Sequence, residues 1–167
     1  MKLGHLTATR ILAAKIHSAL PDDIKSQVNI SNVQQAAMLH DYGKILIPKE
    51  ILNKKGELTP EEKKIMDMHA ELGYELLKEQ GIKEEVLNLI KYHHQKPDGS
   101  GYPQIDNNFE YSIESQILEA ADIYSALTED RTYHKAYSKD EALKIIYKEV
   151  ESGVISQEVF DALKKSV

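Results

Sequence analysis

The chain of 167 residues has no cysteine. That absence excludes disulfides and every thiolate metal site. It is compatible with a reducing compartment, and the expected location is the cytoplasm. No apolar run approaches the roughly 20 residues that span a bilayer. The opening "MKLGHLTATRILAAKIHSAL" is amphipathic rather than an apolar block with a cleavage site. A membrane is therefore not an expected partner. Basic charge is also short: the net charge is −6, so no overall field draws nucleic acid to the surface. A phosphate-ester ligand would have to be attracted locally, by a metal or a few bases. Repeats, low-complexity tracts and long linkers are missing, and a single domain over residues 1–167 is expected. Strand-like alternation is nearly absent.

What is present is helical pattern. His5, Leu12, Ile16 and Ala19 share one face of a first helix. Ser31 is a candidate cap for a second, from Val33 to about His40. "TPEE" at Thr59–Glu62 is a capping box with proline at the first helical position; it predicts a helix to about Gln80, closed by Gly81. Lys83 to His94 follows, then an irregular segment over 96–112 rich in Gly and Pro. Ile113 to Glu129 is strongly apolar and helical. "SKDE" at Ser138–Glu141 caps another helix, ended by Gly153, and Ser156 caps the last. The expected fold is all-α, a helical bundle of about seven helices with 41% hydrophobic residues to fill its core.

Polar residues on the apolar faces carry the chemistry. His5, His40, His69, His93 and His94 fall at inward positions, whereas His17 and His134 read as surface residues. His69 is spaced with Ile65, Leu72 and Leu76, and His93 with Val86 and Ile90. A lone histidine on such a face is more often a hydrogen-bonded core residue. Several in one small domain need partners together, and a shared metal supplies them. Asp122, set among Ile117, Leu118, Ala121 and Ile123, sharpens the case, because a buried carboxylate needs a pair or a cation. A set of imidazoles and carboxylates without sulfur suits iron, manganese or zinc, and more than four ligands suggests two ions. Two ions roughly 3.5–4 Å apart can hold a hydroxide and clamp a phosphoryl oxygen. Spacing alone does not show that residues on five helices converge.

"LHDYGK" (Leu39–Lys44), "HAELG" (His69–Gly73), "HHQKPDGSGYP" (His93–Pro103) and "ADIYSALTEDRTY" (Ala121–Tyr133) occur in that order. This order resembles the HD-GYP subgroup of the HD-domain metal-dependent phosphohydrolases, and the likeness covers nearly the whole chain. The resemblance implies an HD-like helical domain that hydrolyses the bacterial second messenger cyclic di-GMP to linear pGpG or GMP. It implies two divalent metal ions, Fe or Mn first and Zn as the alternative. His5, His40, Asp41 and Asp122 would hold one ion. Asp41 would bridge to a second, held by His69, His93 and His94. Asp41 and Lys44 would be catalytic. Lys44, Gly101, Tyr102 and Arg131 would contact the cyclic dinucleotide.

Several positions depart from the family pattern. Gln95-Lys96 stands for the usual Glu-Arg, Ser125 for a second Asp, His134 for a basic residue, and Met1 for the Glu of trinuclear members. Two tightly bound ions are therefore expected rather than three. Two other readings stay open. One is an HD phosphohydrolase for another nucleotide or a mixed cyclic dinucleotide. The other is a metal-retaining module that signals by protein contact, as a homodimer or with a regulatory domain or protein.

Overall fold

Five helices start where a short polar side chain closes onto an amide of the first turn. Asn29 accepts from the Asn32 amide, Thr59 from Glu62, Ser112 from Ser115, Ser138 from Glu141 and Ser156 from Val159. Each such cap is worth about 1 kcal/mol. Thr59, Ser138 and Ser156 match the sequence-based expectation, and Ser112 is a cap that the pattern did not single out. The exception is the second helix, which begins one turn earlier than predicted, because Asn29 and not Ser31 reaches the free amide.

The computed structural model describes residues 3–130 and 135–167. Among these, the chain forms ten α-helices and one 3-10 helix: α1 (Leu3–Ala19), α2 (Asp22–Lys25), α3 (Ile30–Leu39), the 3-10 helix (Tyr42–Leu46), α4 (Lys49–Leu52), α5 (Pro60–Asp67), α6 (His69–Leu77), α7 (Glu84–Lys91), α8 (Ile113–Leu127), α9 (Lys139–Glu151) and α10 (Gln157–Ser166). The fold is all-α, as the pattern predicted. The count exceeds seven because α2 and α4 are single turns and the predicted helix over 59–80 is interrupted at Met68.

That interruption changes which face is buried. The expected inward set with His69 was Ile65, Leu72 and Leu76. Instead His69, Ala70, Gly73 and Leu77 are buried, and Ile65 is exposed. The cause is a close approach of the 3-10 helix. Gly43 lies against the His69 carbonyl and the Gly73 amide, with no room for a Cβ.

The core is built around α1, which packs on α3, α8 and α10, while α7 covers α3. Leu12, Ile16, Val33, Ile90, Ile117 and Leu163 lie in one continuous apolar cluster. Burying each such side chain is worth about 1.5–3 kcal/mol. The ends of α1, α3, α7 and α8 are thereby held in fixed relation. No helix among the described residues is long and apolar enough to cross a membrane.

The contact at Gly43 predicts that Gly43→Ala forces the 3-10 helix off α6. The expected loss is about 3 kcal/mol of unfolding free energy, read from a shift in the urea midpoint. A midpoint matching the wild type would show that the junction has slack.

Candidate metal centre

Three helix ends deliver histidines with a fixed orientation. His40 caps α3, and its Nδ1 lies 2.8 Å from the Ala37 carbonyl. His69 follows α5, with Nδ1 2.7 Å from the Met66 carbonyl. His93 follows α7, with Nδ1 2.6 Å from the Ile90 carbonyl. A carbonyl only accepts, so each Nδ1 carries the proton and donates it; the tautomer is assigned from that bond. In the neutral ring Nε2 is then a bare lone pair. The three Nε2 atoms turn inward.

Two neighbouring groupings result. In one, Asp122 Oδ1 lies 2.8 Å from His5 Nε2 and 3.2 Å from His40 Nε2. In the other, ligand atoms of His69, His93 and His94 lie within 4.8 Å of one another. Asp41 stands between them, Oδ2 3.6 Å from His40 Nε2 and Oδ1 3.5 Å from His69 Nε2. The His40 and His93 ring centroids are 4.9 Å apart, so the groupings share a wall. All seven candidate ligands predicted from the sequence thus meet at one place. His17 is half-buried, not a surface residue, and lies outside these groupings. Met1, Arg131 and His134 lie outside the described residues.

The electrostatics divide the centre. Burial opposes charge on His40, but Asp122 and Asp41 outweigh it and push its pKa up to about 9. Burial would raise Asp41 and Asp122; the nearby His40, with Lys44 beside Asp41, instead holds both carboxylates down. On the other side, burial lowers His69. Burial and His94 push His93 well below the usual range, and burial and His69 bring His94 to about 4. That half is neutral. Yet His69 Nε2 and His93 Nε2 face each other at 3.1 Å. With both Nδ1 atoms protonated, two lone pairs oppose each other there. A cation would relieve this, because two imidazoles bound at about 2.1 Å to one ion have nitrogens about 3.0–3.4 Å apart for angles of about 90–109° at the ion. The donor set and its spacing fit divalent metal.

Lys44, on the 3-10 helix, places Nζ 3.2 Å from Asp41 Oδ2 while its side chain remains partly exposed. Gly101 admits no Cβ because the His94 carbonyl and Gln95 backbone press on it. Tyr102 is half-buried; its ring stacks on His94 at 5.0 Å, and the Lys63 ammonium lies 5.2 Å from its centroid. Burial and the Asp67 carboxylate raise the Tyr102 hydroxyl pKa, so it stays protonated.

Sequence reasoning missed several supports. Glu129 Oε2 lies 3.7 Å from the otherwise unbonded Nδ1 of His5. Lys91, buried at the end of α7, pairs with Asp106 at 3.0 Å, and the Tyr92 hydroxyl donates to the same carboxylate at 2.6 Å. These bonds tie the 104–112 segment back to α7. A lysine in an apolar helix was the available signal.

A helical domain whose helix ends gather histidines and aspartates in this way offers a donor set for divalent metal. The chain belongs to the HD domain family, which it matches over residues 3–159. The order of its motifs and its relatives place it in the HD-GYP subgroup. It is 38% identical over 125 residues to the cyclic di-GMP phosphodiesterase response regulator RpfG of Xanthomonas campestris pv. campestris, covering 73% of this chain and 33% of that one. It is 34% identical over 151 residues to the 3'3'-cGAMP-specific phosphodiesterase 3 of Vibrio cholerae, covering 87% and 33%. The chain therefore spans about a third of the length of these curated relatives. The HD domain of the L. monocytogenes phosphodiesterase PgpH, solved with cyclic-di-AMP, shares the fold with a TM-score of 0.71 at 16% identity, covering 98% of this chain and 86% of that one.

Removing the Asp106 carboxylate strands the Lys91 ammonium and the Tyr92 hydroxyl. Asp106→Ala should loosen the segment that these bonds hold to α7. Amide hydrogen exchange over 104–112 should quicken, while α1 and α3 stay protected. Unchanged exchange in that segment would show that the bonds do not hold it.

Proposed function

We propose that this domain hydrolyses a phosphodiester bond of a cyclic dinucleotide, with cyclic di-GMP the first candidate substrate, at a centre of two divalent ions. The opposed Nε2 lone pairs of His69 and His93, 3.1 Å apart in a neutral buried pocket, carry this reading. The names of the relatives supply the substrate class.

His5, His40 and Asp122 would hold one ion, and His69, His93 and His94 the other. Asp41 offers one oxygen to each side and would bridge them. Iron or manganese suits this set, with zinc the alternative. When bound, the ions supply charge neutralisation at the phosphoryl oxygens and a lowered pKa for the attacking water. The chain's own groups do the rest. Asp41 and Asp122 provide the negative charge that retains the ions and keep their imidazole neighbours aligned. Lys44, partly exposed beside Asp41, would meet a non-bridging phosphate oxygen as negative charge builds there, an interaction stronger in the transition state than in the ground state. Gly101 and Tyr102 would bound the substrate at the loop, and Arg131 would add a fork for phosphate oxygens. The location that suits this chemistry is the cytoplasm, where such messengers are made and consumed.

A mixed cyclic dinucleotide is the second reading, favoured by the 3'3'-cGAMP-specific relative. Product chromatography with each substrate decides between them.

Purified protein should carry about two equivalents of Fe, Mn or Zn. Asp41→Ala should lose most of it, by elemental analysis after desalting. Full metal content in that variant would overturn the bridging role. Lys44→Ala should keep its metal and lose roughly a hundredfold in kcat on cyclic di-GMP. An unaltered kcat would place Lys44 outside the reaction.

A further inference from the structure

Gln95 stands where a glutamate is usual, directly after the paired histidines. Its side chain is 1% exposed and spans the neck of the loop that follows. Oε1 accepts from the Lys96 amide at 2.8 Å and the Gly101 amide at 2.7 Å. Nε2 donates to the Pro103 carbonyl at 2.9 Å. Two donors meet the oxygen and one acceptor meets the nitrogen, so only one orientation of the amide satisfies all three. Tyr102 lies between the two tethered residues, and its own amide donates to the His94 carbonyl at 3.3 Å. One buried amide therefore frames Tyr102 on both sides.

The consequence falls on His94. His40, His69 and His93 are each oriented by an Nδ1 bond to a backbone carbonyl. Among the described contacts His94 has none. Its ring stacks face to face on the Tyr102 ring at 5.0 Å and 22°, while the His93 and His69 rings meet it at tilted angles, 4.1 and 5.2 Å away. Stacking of this kind is worth about 0.5–1.5 kcal/mol beyond burial, and it orients only if the stacked ring is itself held.

We propose that Gln95 is a positioning residue: by bonding Gly101 and Pro103 it fixes Tyr102, and through that ring it keeps the His94 imidazole in register with His69 and His93. The inference rests on the reading of His94 as a metal ligand. A glutamate cannot serve the loop in this form. A carboxylate only accepts, and its second oxygen would oppose the Pro103 carbonyl oxygen across a hydrogen-bond distance. This chain's loop is built for the amide.

The test follows the His94 ring signals by NMR in chelated protein, then titrates Mn2+ by calorimetry. Tyr102→Leu should remove the upfield ring-current shift of His94. Gln95→Glu should move the same signals in the same direction by at least about half as much, while His40, anchored by its own carbonyl, stays in place. One of the two Mn2+ binding steps should weaken by about 10–100-fold, the usual cost of losing a ligand's outer support, and the other should change less than about twofold. Should Gln95→Glu fail to fold, Gln95→Met, which lacks both donor and acceptor, carries the same expectation. A His94 signal that does not move in either variant, in a wild type that binds two ions, overturns the positioning role and leaves the metal reading standing. A His94 signal that moves in a protein binding no Mn2+ supports the positioning role and removes the metal reading instead.

Discussion

The centre depends on one repeated bond: an imidazole N–H donated to the carbonyl three residues upstream, in the last turn of a helix. Such carbonyls have no intrahelical partner. Here α3, α5 and α7 each give one of them to a histidine, through Ala37, Met66 and Ile90. The bond satisfies a helix end and fixes a tautomer at the same time. It also fixes direction, since a ring donating backward from Nδ1 presents Nε2 forward. Three helices that end at one place therefore turn three Nε2 atoms toward a common point. The buried core around α1 keeps those ends together.

This economy explains why the helices stop where they do. Were α5 and α6 one continuous helix, the predicted face with Ile65 and Leu72 would pack inward. With the turn at Met68, His69 stays inward and its buried neighbours become Ala70, Gly73 and Leu77, and Gly43 closes on the His69 carbonyl and Gly73 amide. The same contact brings Asp41 and Lys44 to the centre, since both flank the 3-10 turn that Gly43 anchors. A glycine two residues past the aspartate thus sets the distance between the carboxylate and its partners.

Much of this was legible in the residues. The caps at Thr59, Ser138 and Ser156 mark real helix starts because a hydroxyl can reach only the amides of the next turn. Six of the seven candidate ligands, the five histidines and Asp122, were legible as polar groups on apolar faces, whereas Asp41 and the convergence of the set were implied by the motif order. The break at Met68 was not legible, because it is imposed by a tertiary contact from the 3-10 helix. Asn29 displaced Ser31 as the cap of α3 because its side chain is the one that reaches the Asn32 amide. Lys91 and Asp106, fifteen residues apart, are joined only by the path of the loop. Gln95 was visible as a departure, but its meaning lies in three partners that only the folded loop supplies.

The loop itself shows how a short motif divides its labour. Asp98 accepts from the Ser100 amide at 2.9 Å and closes a turn. Gly99 takes φ of +78°, a conformation that a side chain would strain. Gly101 is needed for a different reason: its backbone approaches the His94 carbonyl too closely for a Cβ. Tyr102 then returns to the histidines, and Phe109 stacks on Tyr92 at 4.6 Å to seat the far end. Loop residues of this kind would be mobile on a bare surface. Tied at the neck by one amide and at the far end by one carboxylate, the segment becomes a wall of the centre. Its rigidity comes from a few well-satisfied polar bonds rather than from hydrophobic burial, which is why substitutions that conserve shape but exchange a donor for an acceptor act here on ligand geometry before they act on the fold.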